Sequence, residues 1–369
     1  MSKIDFFNTD IHPEAFVKVR EVLQSSFLSE GKLVADFESA LSHQLGILNP
    51  VALNSGTSAL HLALVVAGIG IGDEVIIPSQ TFIATGLAVL MTGAIPVFAD
   101  ILYNTGNIDP SDVERKISPK TKAVMPVHWG GYPCEMDQII EIARRNNLLV
   151  IEDAAHAIGA KYKGVFVGAI GDMTCFSFQA IKHLTTGDGG LLACKNRYHY
   201  ERAMILRWFG IDRKKSPISE SGERNYNLKE LGYKYHMNNY AAALGLANLQ
   251  VLSANIQRRR QIAEFYNAEL KDIPGISLFH YEQGKESSYW LYGFHVEKRD
   301  AFISKLGSLG IPSSVVHVGI HKNELFKHDS VKSLHVQKAF DNSQVHIPVH
   351  NGLTNNQIQA IIKAIKTGW

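Results

Sequence analysis

Between Val51 and Cys194, short apolar runs alternate with stretches whose apolar residues recur at helical spacing. VALN (51–54) reads as a strand end, and EVIIPS (74–79), IPVFADI (95–101), KAVMPVHW (122–129) and LLVIEDA (148–154) read as buried strands. TSALHLALVVAGIG (57–70), TFIATGLAVLMTG (81–93), DPSDVERKI (109–117) and EMDQIIEIARRNN (135–147) read as the helices between them. Thr174–Phe178 and Leu191–Cys194 add two short strands. Such alternation predicts a mostly parallel sheet with helices on both faces. After Gly232 the pattern changes. Residues 237–270 read as one long helix linking two domains. WLYGFHV (290–296), DAFISKLGSLG (300–310), SSVVHV (313–318) and NQIQAIIKAI (356–365) predict a small α+β domain. The expected division is 1–245 for the large domain, N-terminal segment included, and 246–369 for the small one.

Composition narrows the function classes. The chain has 369 residues, 46% hydrophobic and 20% charged, an ordinary balance for a globular protein with a sizeable core. A net charge of +2 gives no global attraction to nucleic acid or an anionic membrane. Three cysteines without CxxC spacing argue against a disulfide framework and for a reducing cytoplasm. The N-terminus lacks the apolar core of a secretory signal, and apolar runs such as Leu87–Met91 are far too short to span a membrane. Arg213–Arg224, rich in Ser and mixed charge, reads as a mobile loop.

The candidate chemistry starts at CFSFQAIKHLTTGDGGLLAC (175–194), where Lys182 stands between a strand-like run and a glycine turn. A surface lysine needs no such setting; a lysine bonded covalently to a cofactor does. In an open α/β sheet, ligands bind beyond the carboxyl ends of the strands. Gly56, Thr57 and Ser58 fall at such an end, where backbone N–H groups and a helix N-terminus favour an anion or simply a helix cap. Asp153 ends the buried strand LLVIEDA and needs a cationic partner or a structural role. Phe82 opens a helix, as core or as a stacking platform, and His156 lies three residues beyond Asp153. Together these are the parts that hold pyridoxal phosphate: an anion cradle, a carboxylate for the pyridine nitrogen, an aromatic face and a lysine.

At this point the sequence resembles the DegT/DnrJ/EryC1/StrS family of pyridoxal-phosphate sugar aminotransferases, which have the aspartate-aminotransferase type of fold (fold type I). The resemblance runs through LNSGTSALHLAL (53–64), GDEVIIPSQTFIAT (72–85), IEDAAHAIGA (151–160), FSFQAIKHLTTGDGG (176–190), GYKYHMNNYAAALGLANL (232–249) and further motifs in family order. It implies that Lys182 is the Schiff-base lysine and the proton carrier. It implies that Asp153 pairs with the pyridine nitrogen, that His156 lies near the 3-hydroxyl, and that Phe82 stacks on the ring. Gly56, Thr57, Ser58 and Ser177 would bind the phosphate. Many relatives read Gly-Tyr-Asn-Tyr-Arg where this chain has Gly232-Tyr233-Lys234-Tyr235-His236, so Lys234 or His236 stands where an Asn reaches the neighbouring subunit's phosphate. A homodimer with a composite site is implied. So are L-glutamate as amino donor and a nucleotide-linked keto-sugar as acceptor, with Leu28–Gly31, His128–Trp129 and the Arg213 loop as contact loops.

Two other roles belong to the same resemblance. A sugar dehydratase would carry His in place of the lysine, and Lys182 counts against it. A cofactor-binding regulator would need a DNA-binding unit, and no such helix pair is visible. Trp129 reads equally as pocket wall or core, and His183 should point away from Lys182. The glycines at 68, 70 and 72 follow a helix rather than a strand, His317 and His321 lack the Glu of a zinc motif, and Arg258–Arg260 read as a solvated helix face.

Overall fold

The structure, a computed structural model, describes residues 3–213, 215–224, 226–326 and 333–369. A seven-stranded sheet forms its centre, from β1 (Pro50–Leu53), β2 (Glu74–Pro78), β3 (Ile95–Ala99), β4 (Thr121–Val124), β5 (Leu149–Asp153), β8 (Met173–Ser177) and β9 (Gly190–Cys194). The spatial order is β1-β9-β8-β5-β4-β2-β3. Every neighbouring pair is parallel except those of β9, which opposes both β1 and β8. The expected mostly parallel sheet is therefore present, with one strand reversed near an edge. Between β5 and β8 the short strands β6 (Lys161–Tyr162) and β7 (Val165–Phe166) form a small sheet with β11 (Lys285–Glu286).

Strand alternation decides which helices cover which face. Val75 and Ile77 of β2 pack with α3 (Gly56–Val66), α4 (Ile83–Met91) and α7 (Arg197–Leu206). Ile76, between them, points into the opposite cluster with α5 (Pro110–Lys116) and α6 (Met136–Arg145). Nearer β1 that second face is closed by α2 (Lys32–Leu45) and α8 (Asn239–Leu249). α1 (Glu14–Gln24) lies against α8.

The predicted single helix over 237–270 is two, α8 and α9 (Leu252–Leu270), broken at Gln250–Val251. The break has a packing reason. α8 is small-sided and buried nearly all round; a Cβ at Gly245 would lie 2.8 Å from Phe37 of α2. α9 then turns away, with Leu252 and Ile256 in the large cluster and Ile262, Tyr266 and Leu270 in a separate one. That separate cluster joins a three-stranded antiparallel sheet, β10 (Ile276–Leu278), β12 (Tyr292–Val296) and β13 (Gln344–Ile347), to α10 (Arg299–Ser308) and α12 (Asn355–Lys366). α11 (His335–Ser343) precedes β13. Ile4 also packs there. We place the passage between the large and small units within α9, between Ile256 and Ile262.

The SSVVHV run is not a strand. Ser314 makes one isolated bridge to His346, and Val316 has φ +61°. A β-branched residue in the left-handed region is strained, and such strain gathers at functional sites.

Candidate active site

Six strands end on the same side, and the loops that leave five of them, β1, β2, β4, β5 and β8, help line a cavity of about 720 Å³, within the usual range of roughly 300–1,000 Å³ for small-molecule sites. The cradle comes first. Ser55 caps α3 by accepting the Ser58 N–H at 3.0 Å. The N–H groups of Gly56 and Thr57, in the first turn, have no partner within the helix and border the cavity. Ser177, at the end of β8, stands beside them: a Cβ at Gly56 would lie 2.9 Å from the Ser177 Cβ. Ser58 lies behind the cavity, its hydroxyl donating to Asn54 Oδ1 at 2.6 Å, and does not line it. The glycine turn makes the close approach possible, but the group it admits is not Lys182. A Cβ at Gly190 would sit 2.2 Å from the Ser55 carbonyl oxygen, among backbone atoms that have nowhere to go. Gly190→Ala is expected to destabilise the protein by about 1–3 kcal/mol through overpacking and to release bound cofactor on dialysis. Thermal melting and retained absorbance check both.

Asp153 is buried at the end of β5. One carboxylate oxygen accepts the Thr85 hydroxyl at 2.7 Å and the other the Ala155 N–H at 3.1 Å. Burial nevertheless pushes its pKa up. Lys182 faces the same cavity, not from a strand but from a turn five residues past β8, closed by its N–H on the Gln179 carbonyl at 2.9 Å. Burial pushes its pKa down to about 7, and the charge of Asp153 works against that shift. Among the described residues, no ion pair within 4 Å joins Lys182 to a carboxylate.

Phe82 caps the start of α4 and is 52% exposed, so one ring face is open to the cavity while His317 tilts against the ring at 5.2 Å. His156 lines the cavity, stacked on Trp290 at 3.7 Å, with Nδ1 lacking a partner. Burial and then the charge of Lys182 hold its pKa well below the usual value, so the ring is neutral. His183 turns away, its Nε2 on the Ser288 carbonyl at 2.8 Å. Lys234 does not line the cavity; it is exposed, with Nζ 3.8 Å from the Trp208 ring centroid. His236 is buried against Trp208 and Ser29. His128 is fully buried on Glu152 at 2.8 Å, and Trp129 packs against His156, His317 and His346, so this pair is core rather than a ligand-contacting loop. In the Arg213 loop, Lys214 lies outside the described residues.

Several site residues escape the sequence reading. Trp290 and His317 come from the small unit and Phe6 and Phe7 from the N-terminal segment, all lining the cavity, while Thr85, inside α4, lies behind it on Asp153. Each looks like core or terminus in its own stretch, and no local pattern marks it.

The donor set fits pyridoxal phosphate. Two helix N-terminal N–H groups and a serine hydroxyl suit the phosphate, a buried carboxylate that makes no ion pair within 4 Å among the described residues suits a pyridinium, and a lysine with a lowered pKa suits covalent attachment. Fold and site together define a fold-type-I pyridoxal-phosphate enzyme. The model of the DegT/DnrJ/EryC1/StrS aminotransferase family matches residues 9–366, and the chain belongs to that family. It is 36% identical to GDP-perosamine synthase of Caulobacter vibrioides, over 94% of this chain and 93% of that protein. It is 33% identical to dTDP-4-dehydro-2,3,6-trideoxy-D-glucose 4-aminotransferase of Saccharopolyspora spinosa, over 93% and 91%. The solved sugar aminotransferase CalS13 of Micromonospora echinospora superposes with a TM-score of 0.95 at 33% identity, over 99% of this chain and 100% of that one. The protein is thus a pyridoxal-phosphate-dependent sugar aminotransferase. Among the described residues, no helix is long and apolar enough to cross a membrane.

Proposed function

We propose that the enzyme moves an amino group from L-glutamate to the keto carbon of a nucleoside-diphosphate-linked keto-deoxysugar, C-4 favoured and C-3 possible, for a surface polysaccharide, O-antigen or amino-sugar product. The observation that carries this reading is the convergence of Lys182, Asp153 and the Gly56–Thr57 N–H groups on one cavity. Its walls also carry hydrogen-bonding groups without partners, His156 Nδ1 and Ser313 Oγ, which suit a hydroxylated ligand. The two relatives named above act on GDP- and dTDP-linked sugars by their names, which supports the class and leaves the base open.

Bound in this site, pyridoxal phosphate supplies an electron sink for the carbon that loses or gains a proton. The chain supplies the rest. Gly56, Thr57 and Ser177 would fix the phosphate end, and Asp153 would keep the pyridine nitrogen protonated. Lys182 would hold the cofactor and, when free, carry the proton to and from the substrate carbon. Among the described residues, no arginine lines the cavity, so one chain offers few cations there for two anionic substrates. A homodimer in which Lys234 of a second copy reaches the phosphate would make up part of that shortage. Of the two candidates, Lys234 is the exposed one and His236 is already engaged.

The test is the absorbance spectrum of the purified protein before and after L-glutamate, followed by keto-sugar nucleotides. A yellow band that bleaches with glutamate and returns with a keto-sugar is the expected result. A protein that takes up no pyridoxal phosphate overturns the cofactor role. A yellow protein indifferent to glutamate overturns the donor.

A further inference from the structure

The free amine of Lys182 has an unusual resting place. Its Nζ lies 3.6 Å from the centroid of the Trp290 ring. Trp290 is 2% exposed, and its indole N–H donates to the Ile181 carbonyl at 3.1 Å, on the residue next to the lysine. That bond fixes the indole relative to the backbone that carries the amine. His156 stacks on the indole at 3.7 Å and 15°, and Phe7 at 5.3 Å and 23°. Phe7 is itself pinned, between the Asp5 carbonyl, which accepts from His350 at 3.0 Å, and the Thr9 hydroxyl, which donates to the Ala180 carbonyl at 2.9 Å. The N-terminal segment thus ties the small unit to the lysine turn and clamps the platform between them.

We propose that Trp290 is a positioning residue whose indole face holds the Lys182 ammonium whenever the lysine is not bonded to the cofactor, fixing where the amine waits and how tightly it keeps its proton. This rests on the reading of Lys182 given above. A buried ammonium with no carboxylate in ion-pair range needs another source of negative potential, and an aromatic face provides it. The charged and titratable groups around Lys182 are Asp153 across the cavity, the imidazoles of His156 and His317, and that of His183, which turns away onto the Ser288 carbonyl; all three imidazoles are held neutral by burial. Asp153 alone favours the ammonium among them, and Trp290 is the nearer group to do so. Every turnover frees the lysine and requires it to give up and take back one proton. A platform that favours the ammonium opposes the lowering by burial and keeps the protonated form available.

The test is trace acetylation of the full-length chain with acetic anhydride from about pH 5 to 10, with the Lys182 peptide quantified by mass spectrometry and exposed Lys120 as internal control. As purified, Lys182 should be protected, and exposure only after hydroxylamine treatment supports its covalent role. Lack of protection counts against that role and leaves the platform to be judged on the titration. In the stripped protein, Trp290→Leu should lower the labelling midpoint of Lys182 by about one pH unit, with Lys120 unchanged. Trp290→Phe, which keeps a weaker aromatic face, should lower it by about half as much. A midpoint in either folded variant within about 0.2 unit of wild type overturns the proposal, so the conservative Phe variant decides if the Leu variant fails to fold.

Discussion

Lys182→Ala should lose the yellow band and at least about 10³-fold in kcat, measured with glutamate and the keto-sugar the enzyme accepts. A positioned proton carrier is worth roughly 10²–10⁴-fold, and here the same side chain is also the covalent anchor. A soluble amine such as ethylamine should restore part of the rate, because the cavity volume that the side chain vacates is open to it. A rate within about tenfold of wild type would remove Lys182 from the chemistry. The substitution should not harm the fold. A buried amine with a pKa lowered to about 7 in the folded chain holds its proton less tightly than the same lysine unfolded. Stability of the stripped protein should therefore rise with pH between about 7 and 10.4, by up to about 1.4 kcal/mol per pH unit. Lys182→Ala should flatten that slope.

Asp153→Asn should separate activity from stability. The asparagine fills the same space, and Thr85, whose hydroxyl also meets Thr81 at 2.6 Å, can turn to accept from its amide. It cannot hold a pyridine nitrogen protonated. A loss of about 10²–10³-fold in kcat is expected, the scale for removing one partner of a buried charge pair. The stripped variant should melt higher than stripped wild type at pH 8. The sign follows from burial: a carboxyl with a raised folded-state pKa binds its proton more tightly folded than unfolded. Stability is therefore lost as pH rises from the ordinary carboxylate range through that raised value. Wild type carries more of the penalty at pH 8 than near pH 4 and the amide carries none at either, so the gap should narrow as pH falls. Equal melting at both pH values would mean that the Asp153 charge is already compensated in the stripped chain.

The parts of this site that were legible in sequence share one property. Lys182, Asp153 and Gly56 are residues that stand out within their own stretch, whether for a ligand or for a cap: a lysine before a glycine turn, a carboxylate ending an apolar strand, a glycine opening a helix. Trp290, Phe7 and His317 are of types that cores and termini hold everywhere, and only the meeting of distant segments makes them part of a site. The fold divides in the same way. The strands of the large sheet were readable one by one from apolar runs, whereas the reversal of β9 and its place beside β1 depend on pairing across the chain. SSVVHV misleads for a local reason. Its β-branched residues suit a strand, but Gln80 and Gln344 amides both donate to the His317 carbonyl and hold the segment as a cavity rim. Lys234 stands where the resemblance puts an Asn, and a single chain places it away from the cavity.

The reversed strand sets when a site can exist at all. Gly190 pairs with Ser177 on one side and with Leu53 on the other, so the lysine turn and the anion cradle become neighbours only once β9 has slid between two strands of very different age in synthesis. A chain made as far as Lys182 has the residues of the cradle, the carboxylate and the lysine, but not the strand that brings them together. The cofactor therefore recognises the finished sheet alone, and by mass action each molecule bound withdraws chain from the unfolded pool. Vitamin supply should then bear on how much of this enzyme persists in a cell as well as on how much of it is active. Starved of cofactor, the protein should be cleared sooner rather than merely idle.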